Sequence, residues 1–333
     1  MEIPWEKISI APMMDITDRR FRYFMRLINP RVRLYTEMIV SHAIVRGDRN
    51  RLLKFDAAEH PVVLQLGGDD PAVVAEAAKI GADFGYDAID LNCGCPSDRV
   101  ESGNFGVCLM RMPERVAEIV AAVHAAVKIP VSVKCRIGIT GEESEAGLIR
   151  FAENVFAAGA RWLTVHARTA TLGGLSPKQN REIPPLNYEM VYRLKEKFPD
   201  REIEINGGIK TRAQILAHLG KVDRVMIGRL AHEDPFFFAP GFPADINTRL
   251  HVLDRMGAYA SQHEHADVGA ARFFSNMLNT FHALPGARLA RRFISEEGRQ
   301  LRPEAAVSAL KEKMVAMAEM TDAAGQTASG SSA

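Results

Sequence analysis

From residue 7 to residue 229 short apolar runs alternate with longer stretches in which apolar positions return every three or four residues. The short runs are rich in Val, Ile and Leu and end in glycine, proline or polar residues, which predicts strands. They fall at 7–14 (KISIAPMM), 33–39 (RLYTEMI), 61–68 (PVVLQLGG), 87–94 (DAIDLNCG), 130–138 (PVSVKCRIG), 161–168 (RWLTVHAR), 201–208 (REIEINGG) and 223–229 (DRVMIGR). The stretches between them read as helices. Residues 70–84 begin with an aspartate cap followed by proline at the first helical position, and 112–127 (MPERVAEIVAAVHAAV) shows the same early proline. Strands that alternate with helices form a parallel sheet, and eight is the number that closes one on itself. The fold class is therefore α/β, a (β/α)₈ TIM barrel over residues 1–243.

The rhythm changes after PFFFAPGFPADIN (235–247), a stretch dense in proline and phenylalanine. No further strand pattern follows. Residues 248–263, 268–284, 286–297 and 303–320 carry helical spacing and predict a C-terminal helical domain over 244–320. The tail at 321–333, TDAAGQTASGSSA, is small and polar and reads as disordered.

Composition adds limits. The chain has 333 residues, 47% hydrophobic and 25% charged, enough for a barrel and one smaller domain. The formal net charge is +1, so any surface for a polyanion must be local. The start, MEIPWEKISIAPM, lacks the basic and apolar pattern of a signal peptide, and no apolar stretch approaches the roughly 18 residues of a membrane span. A cytoplasmic protein with reduced thiols is expected.

Barrel chemistry sits at the C-terminal ends of the strands. Those ends carry Met13 and Met14, Glu37, Gln65, Asn92 with Cys95, Lys134 with Arg136, His166 with Arg168, Asn206 with Gly207 and Gly208, and Gly228 with Arg229. Polar residues at any one end simply mark where a strand meets solvent. That account does not predict amides, lysine, histidine and paired glycines at successive ends. The last two ends, NGG and GR, fit a phosphate: glycine lets backbone N–H groups come close, and Arg229 adds charge-assisted bonds. No G-x-G-x-x-G opens a helix after a strand, so a Rossmann dinucleotide site is unsupported. A flavin mononucleotide suits the remaining positions. Gln65 would bond the ring edge, Lys134 would stabilise an anionic reduced ring, and His166 would support that charge or bind phosphate. Beside these stand the plainer readings of a solvated lysine and a structural histidine.

The four cysteines separate by position. Cys93 and Cys95 in NCGCPS have no second pair at zinc-ligand spacing, so no metal site is expected. Cys135 lies inside the fifth strand and, like Cys108 in NFGVCLM, reads as an inert buried residue. Cys95 lies between Gly94 and Pro96 in a turn at the mouth, where a thiol works as nucleophile or acid.

These segments resemble the tRNA-dihydrouridine synthases, and within them the A-type bacterial enzymes. The resemblance runs through APMMDITDRRFRYF (11–24), YTEM (35–38), HPVVLQLGG (60–68), DLNCGCPSDRV (90–100), GNFGVCLM (103–110), VKCRIGI (133–139), HAR (166–168), LSPKQNREIPPL (175–186), INGGI (205–209), VMIGR (225–229) and GARLARR (286–292). GCPS, NGG and GR belong to the wider family, while YTEM and SPKQNREIPPL mark the A-type. Cys93 departs from the pattern, since other members can have an apolar residue there. The resemblance implies FMN as cofactor, NADPH as reductant, and as substrate the D-loop uridines at tRNA positions 20 and 20a. Hydride would pass from the flavin to C6 of uracil, and Cys95 would protonate C5. Carried over by position, FMN binding falls on Ala11, Pro12, Met13, Gln65, Lys134, His166, Asn206, Gly207, Gly208, Gly228 and Arg229. Asn92 would contact the base, which must leave its stack. Lys178 and Arg181 would contact tRNA. Arg288, Arg291 and Arg292, at i, i+3 and i+4, would share one helix face and grip phosphates. A monomer is expected. Two rivals are a flavin barrel acting on a free pyrimidine or small enone, which has no use for a basic helical appendage, and a catalytically silent RNA-binding barrel.

Overall fold

The computed structural model describes residues 2–97, 103–241, 244–263 and 268–329, with side chains described as far as residue 316. Asp98, Arg99 and Val100 of the DLNCGCPSDRV segment, the expected domain limit at 243 and the last four tail residues, 330–333, lie outside the described residues.

All eight predicted strands form: β1 (Ile8–Ile10), β2 (Leu34–Val40), β3 (Val62–Gly67), β4 (Ala88–Cys93), β5 (Val131–Arg136), β6 (Trp162–His166), β7 (Glu202–Asn206) and β8 (Arg224–Ile227). They are parallel in the order β1-β8-β7-β6-β5-β4-β3-β2. A parallel bridge between Ser9 and Arg33 joins the two ends of that row and closes the barrel. Ile10 N donates to Arg33 O at 2.8 Å, and Arg33 N to Ile8 O at 2.9 Å. The helix expected at 70–84 begins at its aspartate cap. Asp70 accepts from Ala72 N and Val73 N to start Pro71–Asp83, and Thr211 and Gln214 form a capping box before Arg212–Leu219.

Side chains of a strand alternate between its two faces, so inward positions share one parity. Here the inward set is unusually polar. Tyr35 and Trp162 meet across the barrel, with Nε1 donating to Oη at 3.2 Å. They cluster with Ala11, Val63, Ala88 and Met226. Glu204, also sealed, accepts from Ser9 Oγ at 2.6 Å and Thr164 Oγ1 at 2.7 Å. At the strand starts Arg33 lies 4.3 Å over the Trp162 ring and 3.4 Å from Glu202.

Contacts divide the chain into two units, Met1–Arg22 with Arg31–Gly228, and Tyr23–Pro30 with Arg229–Ala333. The division by contacts falls after Gly228. The reason is the Pro235–Phe238 turn, whose three phenylalanines are buried in the second unit. There Phe24 meets Phe236 edge to face, Tyr23 stacks on Tyr259 and Asn29 donates to Phe238 O at 2.7 Å. Helix Ile246–His263 passes so close to Pro303–Ser329 that a Cβ on Gly257 would lie 3.3 Å from Glu304 Cα.

Two further expectations change. The helix expected at 268–284 is one turn, Ala270–Phe273, followed by successive three-residue turns. The spacing of Phe273, Phe274, Met277 and Phe281 is helical, but the carbonyls are claimed by side chains. Arg249 donates to Thr280 O and His282 O at 2.9 and 2.8 Å, and Thr280 Oγ1 to Met277 O at 2.6 Å. At the other end of the unit the backbone is helical through Ser329, into the tail expected to be disordered. Alanines at 323, 324 and 328 favour that conformation.

Candidate active site at the strand ends

Inward parity brings Gln65, Asn92, Lys134, His166 and Asn206 to the same end of five consecutive strands, β3 to β7. Their cross-strand neighbours fix the height: Asn92 pairs in register with Lys134, and His166 with Asn206. A hydrogen-bonded chain runs beneath. Ser132 Oγ and Gln65 Nε2 both donate to the carboxylate of Asp90, each at 2.7 Å, and Asn92 Nδ2 donates to Gln65 Oε1 at 2.8 Å. Asn92 Oδ1 in turn accepts from Gly94 N at 3.1 Å and Cys95 N at 2.9 Å.

The four cysteines fall into two environments. Cys93 and Cys135 face each other in register on β4 and β5 and are sealed from solvent. Burial pushes the Cys135 thiol up to about 12 and Cys93 well above the thiol range. Cys95 is half-buried in the turn after β4, with Sγ 3.4 Å from Ser97 Oγ. Cys108, expected to be buried, is only half-buried in the 3₁₀ turn Gly106–Arg111.

Arg136 holds this turn from the β5 side. Its Nε donates to Gly94 O at 2.8 Å, while Nη1 donates to Thr169 O at 2.8 Å and Asn180 O at 3.0 Å. One buried guanidinium thus ties the Cys95 turn to the segment after β6. Burial, reinforced by the cations Arg181 and Arg168 and opposed by Cys95, lowers its pKa to about 10. Burial also lowers Lys134, helped by Arg136 and opposed by Asp90. Asp90 itself is raised to about 6 by burial, against the bonds from Gln65 and Ser132.

The loops after β7 and β8 are built on glycines. Gly207 and Gly208 have φ of +118° and +69°, in the range that glycine alone adopts readily. A Cβ on Gly207 would lie 3.3 Å from the His166 ring, and one on Gly208 2.6 Å from Leu186 Cδ1. Tyr188 Oη donates to Gly207 O at 2.7 Å, and Asn206 Nδ2 to Met226 O at 2.8 Å, so the loop is braced from both sides. Gly228 faces Ala11 Cβ and Met13 Sδ, both 3.5 Å from the position of a Cβ, which brings the end of β1 to the same loop. Pro12 follows Ala11 there, and Arg229 directly follows Gly228 and opens the short helix Arg229–Glu233.

Lys178 and Arg181 are exposed, Lys178 just before and Arg181 at the end of the 3₁₀ turn Gln179–Arg181, whose buried Asn180 is bonded to Thr171 and Leu175. Arg288, Arg291 and Arg292 are exposed on the helix Ala287–Arg292 of the second unit, with Ala290 turned inward. The strand-end list assigned no role to Arg136 and omitted Asp90 and Tyr188. Asp90 was legible, since it lies two residues before Asn92 on one strand and must share its face. Tyr188 was not, because only the tertiary fold brings it to Gly207.

An eight-stranded parallel barrel with an amide, lysine and thiol cluster at its C-terminal mouth and glycine loops after β7 and β8 defines an enzyme of the (β/α)₈ class. Residues 9–316 match the model of the dihydrouridine synthase (Dus) family. The chain is 51% identical over 296 residues to a tRNA-dihydrouridine(20/20a) synthase of Synechocystis, covering 87% of this chain and 88% of that one. It is 47% identical over 295 residues to the protein of that name in Xanthomonas axonopodis, with coverages of 87% and 88%. A solved 2-naphthoyl-CoA reductase complex shares the fold at TM-score 0.55 and 11% identity, over 69% of this chain and 49% of that one. The chain belongs to the dihydrouridine synthase family. Membership is consistent with a flavin cofactor. Among the described residues, no helix is long and apolar enough to cross a membrane.

Proposed function

We propose that the protein reduces the C5–C6 double bond of uridine to 5,6-dihydrouridine at positions 20 and 20a of tRNA, with FMN as cofactor and NADPH as reductant. The observation that carries this reading is the contrast among the thiols of β4 and β5. Cys95 alone reaches the mouth, beside Asn92, while Cys93 and Cys135 are sealed.

The residues present fit a flavin mononucleotide. Gly207 and Gly208 hold positive-φ backbone that other residues adopt with strain, and backbone N–H groups in such a loop suit a phosphate. Ala11, Pro12, Met13, Gln65, Lys134, His166, Asn206 and Arg229 complete the set that would hold it. Gln65 keeps one N–H and one lone pair beyond its bonds to Asp90 and Asn92, and Lys134 supplies a cation at the same height. When bound, the flavin supplies hydride to C6 of the uracil ring. Cys95 donates the proton that C5 then needs. Asn92 orients the base, and Arg136 keeps the Cys95 turn rigid. Lys178 and Arg181 hold the tRNA, as do Arg288, Arg291 and Arg292.

The test is direct. Purified protein is expected to be yellow and to release FMN on denaturation. With NADPH it should form dihydrouridine at positions 20 and 20a of an unmodified tRNA transcript. Release of FAD, or reduction elsewhere in the tRNA, would overturn the cofactor or the position.

A further inference from the structure

A carboxylate has only lone pairs to offer, so every group bonded to it must donate. Asp90 is fully buried, and it accepts from Gln65 Nε2 and Ser132 Oγ at 2.7 Å. The first bond fixes the Gln65 amide, with its NH₂ toward Asp90 and its Oε1 toward Asn92. Asn92 must then donate through Nδ2, which it does at 2.8 Å. Its Oδ1 is thereby turned to the backbone N–H groups of Gly94 and Cys95, at 3.1 and 2.9 Å. Reversing either amide would set donor against donor or acceptor against acceptor. The chain has a fixed group at each end, backbone N–H groups that only donate and a carboxylate that only accepts, and both ends require the same sense.

The geometry points to Asp90 as a positioning residue, a sealed carboxylate that anchors the Gln65 and Asn92 amides in the sense that the Gly94 and Cys95 N–H groups also require, and so holds the Cys95 turn. Its consequence for catalysis rests on Cys95 being the acid. The competing role for Asp90 is that of counter-charge to Lys134, on which it acts electrostatically. Asparagine separates the two roles. Its Oδ1 can accept from Gln65 while its Nδ2 donates to Ser132 Oγ, because a hydroxyl can turn and accept. Asp90→Asn therefore keeps the sense of the chain and removes the charge.

The experiment compares wild type, Asp90→Ala and Asp90→Asn as full-length flavin-loaded proteins. It reads backbone hydrogen exchange at Gly94 and Cys95, together with dihydrouridine formation. Asp90→Ala is expected to speed exchange at these two amides about tenfold, the equivalent of roughly one net hydrogen bond. Its kcat should fall by up to about 100-fold, the cost of a misplaced reacting group. Asp90→Asn should restore both to near wild type. If the alanine variant shows no cooperative melting, Asp90→Leu, which has the branched shape of asparagine without its polar atoms, takes its place. Wild-type exchange in the alanine or leucine variant would overturn the proposal. So would an asparagine variant as impaired as alanine, since charge would then be the cause. Faster exchange in the alanine variant, rescued by asparagine, but with unchanged kcat would support the positioning role and instead remove Cys95 as the acid.

Discussion

Two cysteines separated only by Gly94, Cys93 and Cys95, show how much the end of a strand decides. Cys93 points out of the barrel into the packed wall and is sealed, while Cys95 has left the strand and reaches the mouth. Cys95→Ala is expected to keep its flavin and bind tRNA yet lose about 10²–10⁴-fold in turnover, the usual contribution of a general acid. Cys93→Ala should stay near wild type in turnover. The reverse outcome in dihydrouridine assays would assign the proton to the wrong thiol. Asp90 carries a second prediction at this scale. Its carboxyl is raised from the ordinary 3.8 to about 6, chiefly by burial. Between these values the folded protein holds a proton that the unfolded chain has released, so stability falls as pH rises through this window. A displacement of about two pH units corresponds to about 3 kcal/mol. Asparagine at position 90 does not titrate. Denaturant melts at pH 4.5 and 7 should therefore show Asp90→Asn gaining on wild type at the higher pH. Parallel curves at both pH values would refute the shift.

At the scale of elements, the loop after β7 depends on a backbone shape that a side chain would not tolerate. Gly208 has φ +69° and a hypothetical Cβ 2.6 Å from Leu186; Gly173 has the same φ of +69° with nothing within 4 Å. Substituting alanine at Gly173 imposes the backbone strain alone, about 1 kcal/mol or more. Alanine at Gly208 adds the clash with Leu186 and pushes on a loop braced by Tyr188. Gly208→Ala should therefore melt lower than Gly173→Ala and release its flavin at concentrations where the other retains it. Equal flavin content in the two variants would separate this loop from the cofactor. Elements also show where pattern reading succeeds and fails. Every strand was legible because apolar runs between turn residues have one simple reading. The stretch at 268–284 was not, since its apolar spacing is helical while Arg249, distant in sequence, takes the carbonyls that a helix would use.

At the scale of the whole molecule, a formal charge of +1 leaves tRNA affinity to local clusters. Arg288, Arg291 and Arg292 form one such cluster, although Arg292 already lies 3.1 Å from Glu296, with both side chains largely exposed. An exposed pair of that kind is weak but neutralises part of the charge offered to a phosphate. Each phosphate contact removed should lower the slope of log affinity against log salt by roughly 0.7–0.9. Arg288→Ala and Arg291→Ala are expected to give that change and Arg292→Ala a smaller one, measured by tRNA binding across a salt series with flavin content as the folding control. An unchanged slope in the triple variant would leave these arginines as a solvated face.

The sequence by itself determined the eight strands, the barrel they close and the residues at their mouths, because strand parity and strand ends are local properties of the chain. It also singled out Cys95, through the glycine and proline on either side. The division of the chain was decided only by the tertiary structure, for Phe236, Phe237 and Phe238 needed a core that their own neighbours could not announce. The bracing of the site was decided there too. Arg136 reaches carbonyls at 94, 169 and 180, and Tyr188 reaches Gly207, bonds between segments far apart in sequence. Hydrophobic pattern records which face a residue turns to the core, whereas a hydrogen bond between distant segments depends on where the folded barrel sets their ends.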